Sequence, residues 1–311
     1  FTSGFNMQFI SEGPNIPEEL LNRHAEGRVI FFCGAGVSVD AGMPLFSGLV
    51  RELYKRNPVA DADQFQKAVD AGDLDVSLSI LENTLGSNGG KIRRDVAEIL
   101  RKRAKTLSNH EALLKLSAHS DGSCRLVTTN FDRLIANAAK KIATVDIDAA
   151  PKLPVPKPGR WNSIVHLHGI IPNKASEDLS GLVLTSADFG EAYITDSYSG
   201  RFLVELLRHF TLVFVGYSLN DRIMRYLLDA VSVSRQRLVG SSDRAPFNQP
   251  YAFIEHNGDD EKKNILEWRA KNVAPIPYFV DPDERTKPRS HFRLYDTLHA
   301  WGSLANGGQR A

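Results

Sequence analysis

The sequence predicts an α/β fold: a parallel sheet with helices on both faces, interrupted by an all-helical insertion. Three observations carry this. Val29 to Phe32 and Thr211 to Val215 are unbroken apolar runs ending near glycine, the pattern of strands buried on both faces. Further short apolar runs alternate with helical patterns, as βαβ units do. Between Phe46 and Ala118, by contrast, apolar residues recur only at helical spacing.

In chain order, Asn15-Ile-Pro17-Glu-Glu opens like a helix, with a polar cap and proline in its first turn, and Gly27 closes it. After the strand from Val29, Leu49, Val50, Leu53 and Tyr54 mark one helix; Asp73 to Leu85, Ile92 to Ala104 and His110 to Ala118 mark three more. Gly86 to Lys91 is one residue short of a P-loop and Ile92 stands where a hydroxyl is required, so it reads as a helix-to-helix loop. Lys91, Arg93, Arg94, Arg101, Lys102, Arg103 and Lys105 read as a solvated face rather than a nucleic-acid surface.

Arg125 to Thr129 is the next strand and Phe131 to Lys141 its helix; Pro151 to Pro158 is an extended surface connection. Ile164 to His168 reads as a strand and Gly181 to Leu184 as a short one, with helices over Phe189 to Tyr193 and Arg201 to Phe210. After Thr211 to Val215 come a helix over Asp221 to Val233, a strand over Tyr251 to Ile254, a helix over Asp259 to Ala270 and a strand over Pro275 to Val280. These add up to a Rossmann-like sheet whose ligand belongs at the carboxyl ends of its strands.

Composition bounds the rest. With 311 residues, 42% hydrophobic, the chain can bury a full α/β core, and a net charge of +1 gives no global attraction to nucleic acid or an anionic membrane. Cys33 and Cys124 are the only cysteines, so a four-cysteine zinc site within the chain is excluded, and both read as small buried hydrophobes of a reducing, cytoplasmic compartment. No apolar run has the roughly 18–20 residues of a membrane helix. Residues 1–6, ahead of Met7, read as an expression remnant.

Chemistry concentrates where strands end. Gly34-Ala35-Gly36 follows the first strand, where residues without Cβ let N–H groups converge on a phosphate, and Ser38 adds a hydroxyl. The spacing to Gly42 misses the plain dinucleotide fingerprint. Asn130 after the second strand suits a helix cap as well as a site residue. His168 and His166 alternate along one strand, so their rings face opposite ways, against a His-x-His zinc pair.

Gly34-Ala-Gly-x-Ser-x-x-Ala-Gly-x-Pro-x-Phe46 resembles the NAD-binding signature of the sirtuins. Thr128-Thr129-Asn130-Phe131-Asp132 is similar to the family's Thr-Gln-Asn-Ile-Asp, His168-Gly169 to its His-Gly, and Gly216-Tyr217-Ser218-Leu219 to its Gly-Thr-Ser-Leu, all in the family's order. The resemblance implies a sirtuin-like catalytic domain over residues 7–311, with a helical insertion over about 47–120 and NAD as substrate without a metal. It implies catalytic roles for Asn130, which orients the nicotinamide ribose and water, and His168, the base. The cofactor-binding set it implies is Gly34, Ala35, Gly36, Ser38, Phe46 beside the nicotinamide, Thr129, Asp132 on the carboxamide, Gly216, Tyr217 and Ser218. Asn257 is expected at the adenosine end, with a turn residue as the alternative.

Two departures narrow the expectation. Deacylating sirtuins carry a zinc ribbon after the histidine, and here no cysteine lies between His168 and Gly216; their Pro-Asp-Phe-Arg is Pro44-Leu45-Phe46-Ser47. The chain thus resembles the zinc-less sirtuin-like domains of bacterial antiphage systems, which hydrolyse NAD to nicotinamide and ADP-ribose. That resemblance implies a homo-oligomer acting with a partner such as a HerA-type ATPase or a short Argonaute; composition points to no membrane association and gives no indication of direct nucleic-acid binding. The alternatives are a zinc-independent NAD-dependent deacylase and a non-catalytic sensor of NAD or ADP-ribose.

Overall fold

The computed structural model describes residues 5–58, 62–86, 90–142, 145–174, 178–219, 222–236, 247–285, 287 and 289–307. Its strands are β1 (Asn6–Gln8), β2 (Asn15–Pro17), β3 (Val29–Cys33), β4 (Leu126–Thr128), β5 (Asp146–Ala149), β6 (Ser163–His166), β7 (Thr211–Val215), β8 (Tyr251–His256) and β9 (Ala274–Phe279). Its helices are α1 (Glu18–Ala25), α2 (Phe46–Arg56), α3 (Ala62–Asp70), α4 (Leu74–Leu85), α5 (Gly90–Leu100), α6 (Ser108–Ser117) and α7 (Leu134–Ile142). There follow α8 (Ser186–Gly190), α9 (Tyr198–His209), α10 (Arg222–Gln236), α11 (Glu261–Ala270) and α12 (Phe292–Gly307).

Seven strands form one sheet in the order β5-β6-β4-β3-β7-β8-β9, every pairing parallel. The Val29–Cys33 run is wholly buried because its side chains alternate between two helical layers. Phe31 and Cys33 pack with Leu20, Leu113, Ala138 and Leu298 from α1, α6, α7 and α12. Ile30 and Phe32 pack with Phe202, Leu206, Met224 and Leu228 from α9 and α10. Five helices, α2 to α6, lie between β3 and β4, and most of them share a third core with Phe131, Ile171, Leu182 and Leu184 of the sheet side.

Several expectations need correction. Asn15–Pro17 is a strand paired antiparallel with β1, and the helix starts after it; Pro17, which lacks an N–H, occupies an edge. Residues 181–184 are not a strand: Val183 N–H donates to His168 O at 2.9 Å, but no ladder follows. β6 ends at His166, so His168 sits in the turn beyond it. The basic residues of α5 and the turn after it are less solvated than expected: Arg93 reaches Asp188, Glu82 and Leu182 O, and Arg101 reaches Pro172 O and Lys174 O. Residues 87–89 of the P-loop-like stretch lie outside the described residues.

Candidate active site

The order of the sheet reverses between β3 and β7, the place where an open α/β sheet offers a crevice. There the loops after the two strands interlock. A Cβ on Gly34 would lie 2.5 Å from Gly216 O; one on Gly36, 2.8 Å from Gly216 Cα; one on Gly216, itself at φ +59°, 2.6 Å from Val37 N. Gly34 N–H donates to Val215 O (3.0 Å) and Gly36 N–H to Gly216 O (2.9 Å). These glycines therefore serve backbone-to-backbone contact, and the two N–H groups expected to converge on a phosphate are committed to β7 and its loop. The segment after Gly34 is a four-residue 3-10 turn, Ala35–Ser38, rather than an extended helix.

Above this junction opens a cleft of about 380 Å³. Ala35, Ser38, Phe46, Thr129, Asn130, Asp132, His168, Gly216, Tyr217 and Ser218 all line it, so four separate sequence stretches meet there. Gly34 and Gly36 are not among the lining residues; they hold the floor from behind. Asn257 is also absent from the lining. Its Oδ1 accepts from the N–H groups of Asp259 and Asp260, which makes it the turn residue before α11.

Asn130 is held by a polar network under the cleft. Its Nδ2 donates to Gly34 O (3.1 Å) and Ser38 Oγ (3.2 Å), which uses both amide protons and leaves Oδ1 as the group able to accept from a ligand. Ser38 is buried, and its hydroxyl donates to Asp132 Oδ2 at 3.0 Å while lying 3.1 Å from His110 Nε2. Since Ser38 has one proton and gives it to Asp132, His110 Nε2–H is the donor to Ser38 Oγ. The Ser38 hydroxyl is thus not the phosphate donor expected from the sequence; it fixes Asn130.

Asp132 also accepts from Leu134 N–H, and burial raises its carboxyl pKa against these hydrogen bonds. Burial pushes His110 down to about 4, so it is neutral. Beside it, His166 Nδ1–H donates to Asn130 O at 2.9 Å, and burial holds that ring at about 4. His166, structural in the sequence reading, supports the backbone of Asn130.

His168 Nε2 lies 2.8 Å from Tyr193 Oη, and its ring meets the edges or faces of Phe189 (centroids 5.1 Å apart) and Tyr193 (5.9 Å). Burial without a counter-charge lowers its pKa to about 3. The base expected to titrate near neutrality is instead an imidazole that burial keeps neutral around pH 7, hydrogen-bonded to a tyrosine hydroxyl. Phe189 and Tyr193 stack on each other 5.8 Å apart, and Tyr193 sits in a π-helical turn, Glu191–Thr195. The sequence signal for them is the aromatic pair four residues apart after the histidine.

On the far wall stand Pro44, Leu45, Leu49, Leu74 and Leu100 with Asp73 and Asp75, contributed by the insertion and the loop before it. Arg222, the first residue of α10, is the only lysine or arginine lining the cleft among the described residues, and it pairs with Asp73 at 2.5 Å. Neither partner was singled out from the sequence. Among the described residues, no group of three histidines, cysteines or carboxylates is placed to hold a metal ion, and no helix is long and apolar enough to cross a membrane.

Residues 125–276, which carry Asn130, His168 and the Gly216 loop, match the family described as SIR2-like domain. The chain carries a SIR2-like domain. It is 32% identical over 277 residues to the uncharacterized protein y4cA of Sinorhizobium fredii, a match covering 87% of this chain and 22% of that protein. The chain thus spans about a fifth of the length of the curated relative it matches. Among solved structures, a mutant Sir2 homologue in complex with ADP-ribose is similar over 94% of this chain and 98% of that one, with 14% identity and a TM-score of 0.45. The SIR2-like match begins at Arg125, so Gly34 to Phe46 and the α2 to α6 wall of the cleft lie outside the matched residues.

Proposed function

We propose that this SIR2-like domain is an NAD glycohydrolase, converting NAD and water to nicotinamide, ADP-ribose and a proton. The observation that carries the reading is the pairing of a pre-oriented Asn130 with His168 in one cleft at the sheet's switch point. The cleft is of the size that small-molecule sites have, about 300–1,000 Å³, and the glycine loops behind it are locked against each other.

In this reading Asn130 Oδ1 accepts from a ribose hydroxyl or the attacking water, since its amide protons are already engaged. As the bond from ribose to nicotinamide breaks, positive charge develops at the ribose carbon, and Phe46 and Phe189 wall that region from bulk water. Water bonds to that carbon and gives its proton to His168. A weak base suffices, because water attacking so electron-poor a carbon is itself strongly acidified, and a ring with a pKa of about 3 stays unprotonated and ready.

The antiphage role is proposed on the zinc-less pattern of the sequence. With only Cys33 and Cys124 present, the chain has no ribbon to form the acyl-lysine groove of deacylating sirtuins. NAD depletion by an oligomeric module, working with a partner protein or within a longer chain, fits that pattern. The test is nicotinamide release from NAD by purified protein without any acylated peptide. Wild type is expected to release it, and Asn130→Ala and His168→Ala to lose at least about 100-fold in kcat. Full turnover by either variant overturns the assignment; turnover only with an acyl-lysine peptide establishes a deacylase instead.

A further inference from the structure

We infer that Arg222 is a diphosphate-binding residue of the cleft, and that Asp73 holds its guanidinium in place until an anionic ligand takes it over. The inference rests on the reading of the cleft as a site for NAD. It starts from a shortage of positive charge. The N–H groups of Gly34 and Gly36 are already bound by Val215 O and Gly216 O, while Asp73, Asp75 and Asp132 line the same space. A ligand with two phosphate charges meets one lysine or arginine there among the described residues, Arg222.

Arg222 is suited to that task. It opens a 15-residue helix, whose amino end favours negative charge. It follows closely on Gly216, Tyr217 and Ser218, which border the cleft. Its planar fork of donors fits phosphate oxygens two at a time. In the structure that fork is engaged by Asp73, at 2.5 Å, with the Arg222 side chain 61% exposed and that of Asp73 25% exposed. An ion pair so open to water is weak and readily exchanged. Asp73 has no side-chain role in starting α4, so the carboxylate is free to let go.

The exchange has a directional consequence. Asp73 belongs to the turn between α3 and α4 of the insertion, and Arg222 to the sheet domain. When phosphate oxygens replace the Asp73 carboxylate, like charges face each other across the mouth of the cleft. Ligand binding is thereby coupled to displacement of the insertion's edge, and the same carboxylate disfavours anions that cannot engage Arg222.

The experiment is calorimetric titration of ADP-ribose into wild type, Arg222→Ala, Asp73→Asn, the double variant and Asp75→Asn, with adenosine as the ligand that lacks phosphate. Arg222→Ala should weaken ADP-ribose binding by about tenfold or more and leave adenosine unchanged. Asp73→Asn should tighten ADP-ribose by up to about fivefold, Asp75→Asn by less, and in the Arg222→Ala background the gain from Asp73→Asn should fall to that of Asp75→Asn. Wild-type affinity in Arg222→Ala, or an undiminished gain from Asp73→Asn in the double variant, overturns the exchange while leaving the NAD site standing. Failure of wild type to bind ADP-ribose overturns the exchange together with the proposed function. Unchanged thermal melting of the variants, expected for surface side chains, keeps these outcomes distinct from unfolding.

Discussion

Lowering the pH from 7.5 to 5 should cost this domain about 6 kcal/mol through three histidines that the fold keeps neutral in and beneath the cleft, with His24, His119 and His299, also lowered by burial, adding to the loss. His110, His166 and His168 are buried, with pKa values pushed down to about 4, about 4 and about 3. In the unfolded chain each returns to about 6.5. The sign follows from which state binds the proton: above pH 6.5 both states are neutral at these rings and nothing is gained or lost. Below it the unfolded chain takes up protons that the folded one refuses, so stability falls with pH until the folded values are reached. At pH 5 the loss is about 2 kcal/mol per ring, being the distance below 6.5 at about 1.4 kcal/mol per unit. The folded values hardly enter, provided they lie well under 5. Asp132, whose raised carboxyl pKa makes the native state the better proton acceptor, offsets part of the loss. Asp95 and Asp121 are lowered and add acid lability only below the ordinary carboxylate range. Urea unfolding at pH 7.5, 6.5 and 5.0 measures the slope, and the pH dependence reports proton uptake on unfolding of roughly three from these rings. Equal midpoints at pH 7.5 and 5.0 would refute the reasoning, because the rings would then be solvated or charged in the native state.

Gly216→Ala should cost about 2–4 kcal/mol in urea unfolding, since it combines a Cβ 2.6 Å from Val37 N with a left-handed φ of +59°; near-wild-type stability would show that the two loops are not interlocked. Tyr193→Phe should lower kcat for nicotinamide release by about tenfold with KM nearly unchanged, because it removes the hydroxyl that orients His168 Nε2 and touches no binding contact. An unchanged kcat would remove Tyr193 from the mechanism. The rate of nicotinamide release should show no histidine titration between pH 8 and 5.5 over the range where the protein stays folded, since His168 with a pKa of about 3 is already in its base form throughout. A falling acid limb centred near 6.5, measured alongside circular dichroism to exclude unfolding, would contradict the buried, neutral ring.

What could be read from the sequence was local. The runs at Val29–Cys33 and Thr211–Val215 announce themselves because strands buried on both faces need no alternation. Asn130 and His168 follow strands closely enough that topology alone brings them to one crevice. Edge strand β5, Asp146–Ala149, was missed because its Asp-Ile-Asp-Ala carries no continuous apolar signal. Residues 181–184 were mistaken for a strand because an apolar stretch says nothing of whether a ladder partner is available. The glycines were located correctly, yet their reason lies in loops 180 residues apart that touch only in the fold. His110, 72 residues from Ser38, reads as any polar residue on a helix, since nothing nearby in sequence marks a ring aimed at the network under Asn130.

The helical insertion and the loop before it form one wall of the cleft. Its core takes in Phe131, Leu134, Ile171, Leu182 and Leu184, so it shares its interior with the segments that flank Asn130 and His168. From α5, Arg93 donates twice to Asp188 at 2.8 Å and once to Leu182 O at 2.6 Å, while Glu82 of α4 lies at 3.2 Å. Asp188 in turn accepts from Leu184 N–H, Thr185 N–H and Thr185 Oγ. With side chains only 14% and 17% exposed, this pair loses much if either partner is removed, because the other is left charged in a poorly solvated place. The residue after Asp188 is Phe189, and Tyr193 lies one turn on, so the ion pair fixes the start of the segment whose aromatic rings hold His168. In deacylating sirtuins the stretch after the histidine is organised by zinc; here the same stretch is tied down by a guanidinium reaching across from the insertion. The position of the His168 ring therefore depends on how α5 of the insertion sits.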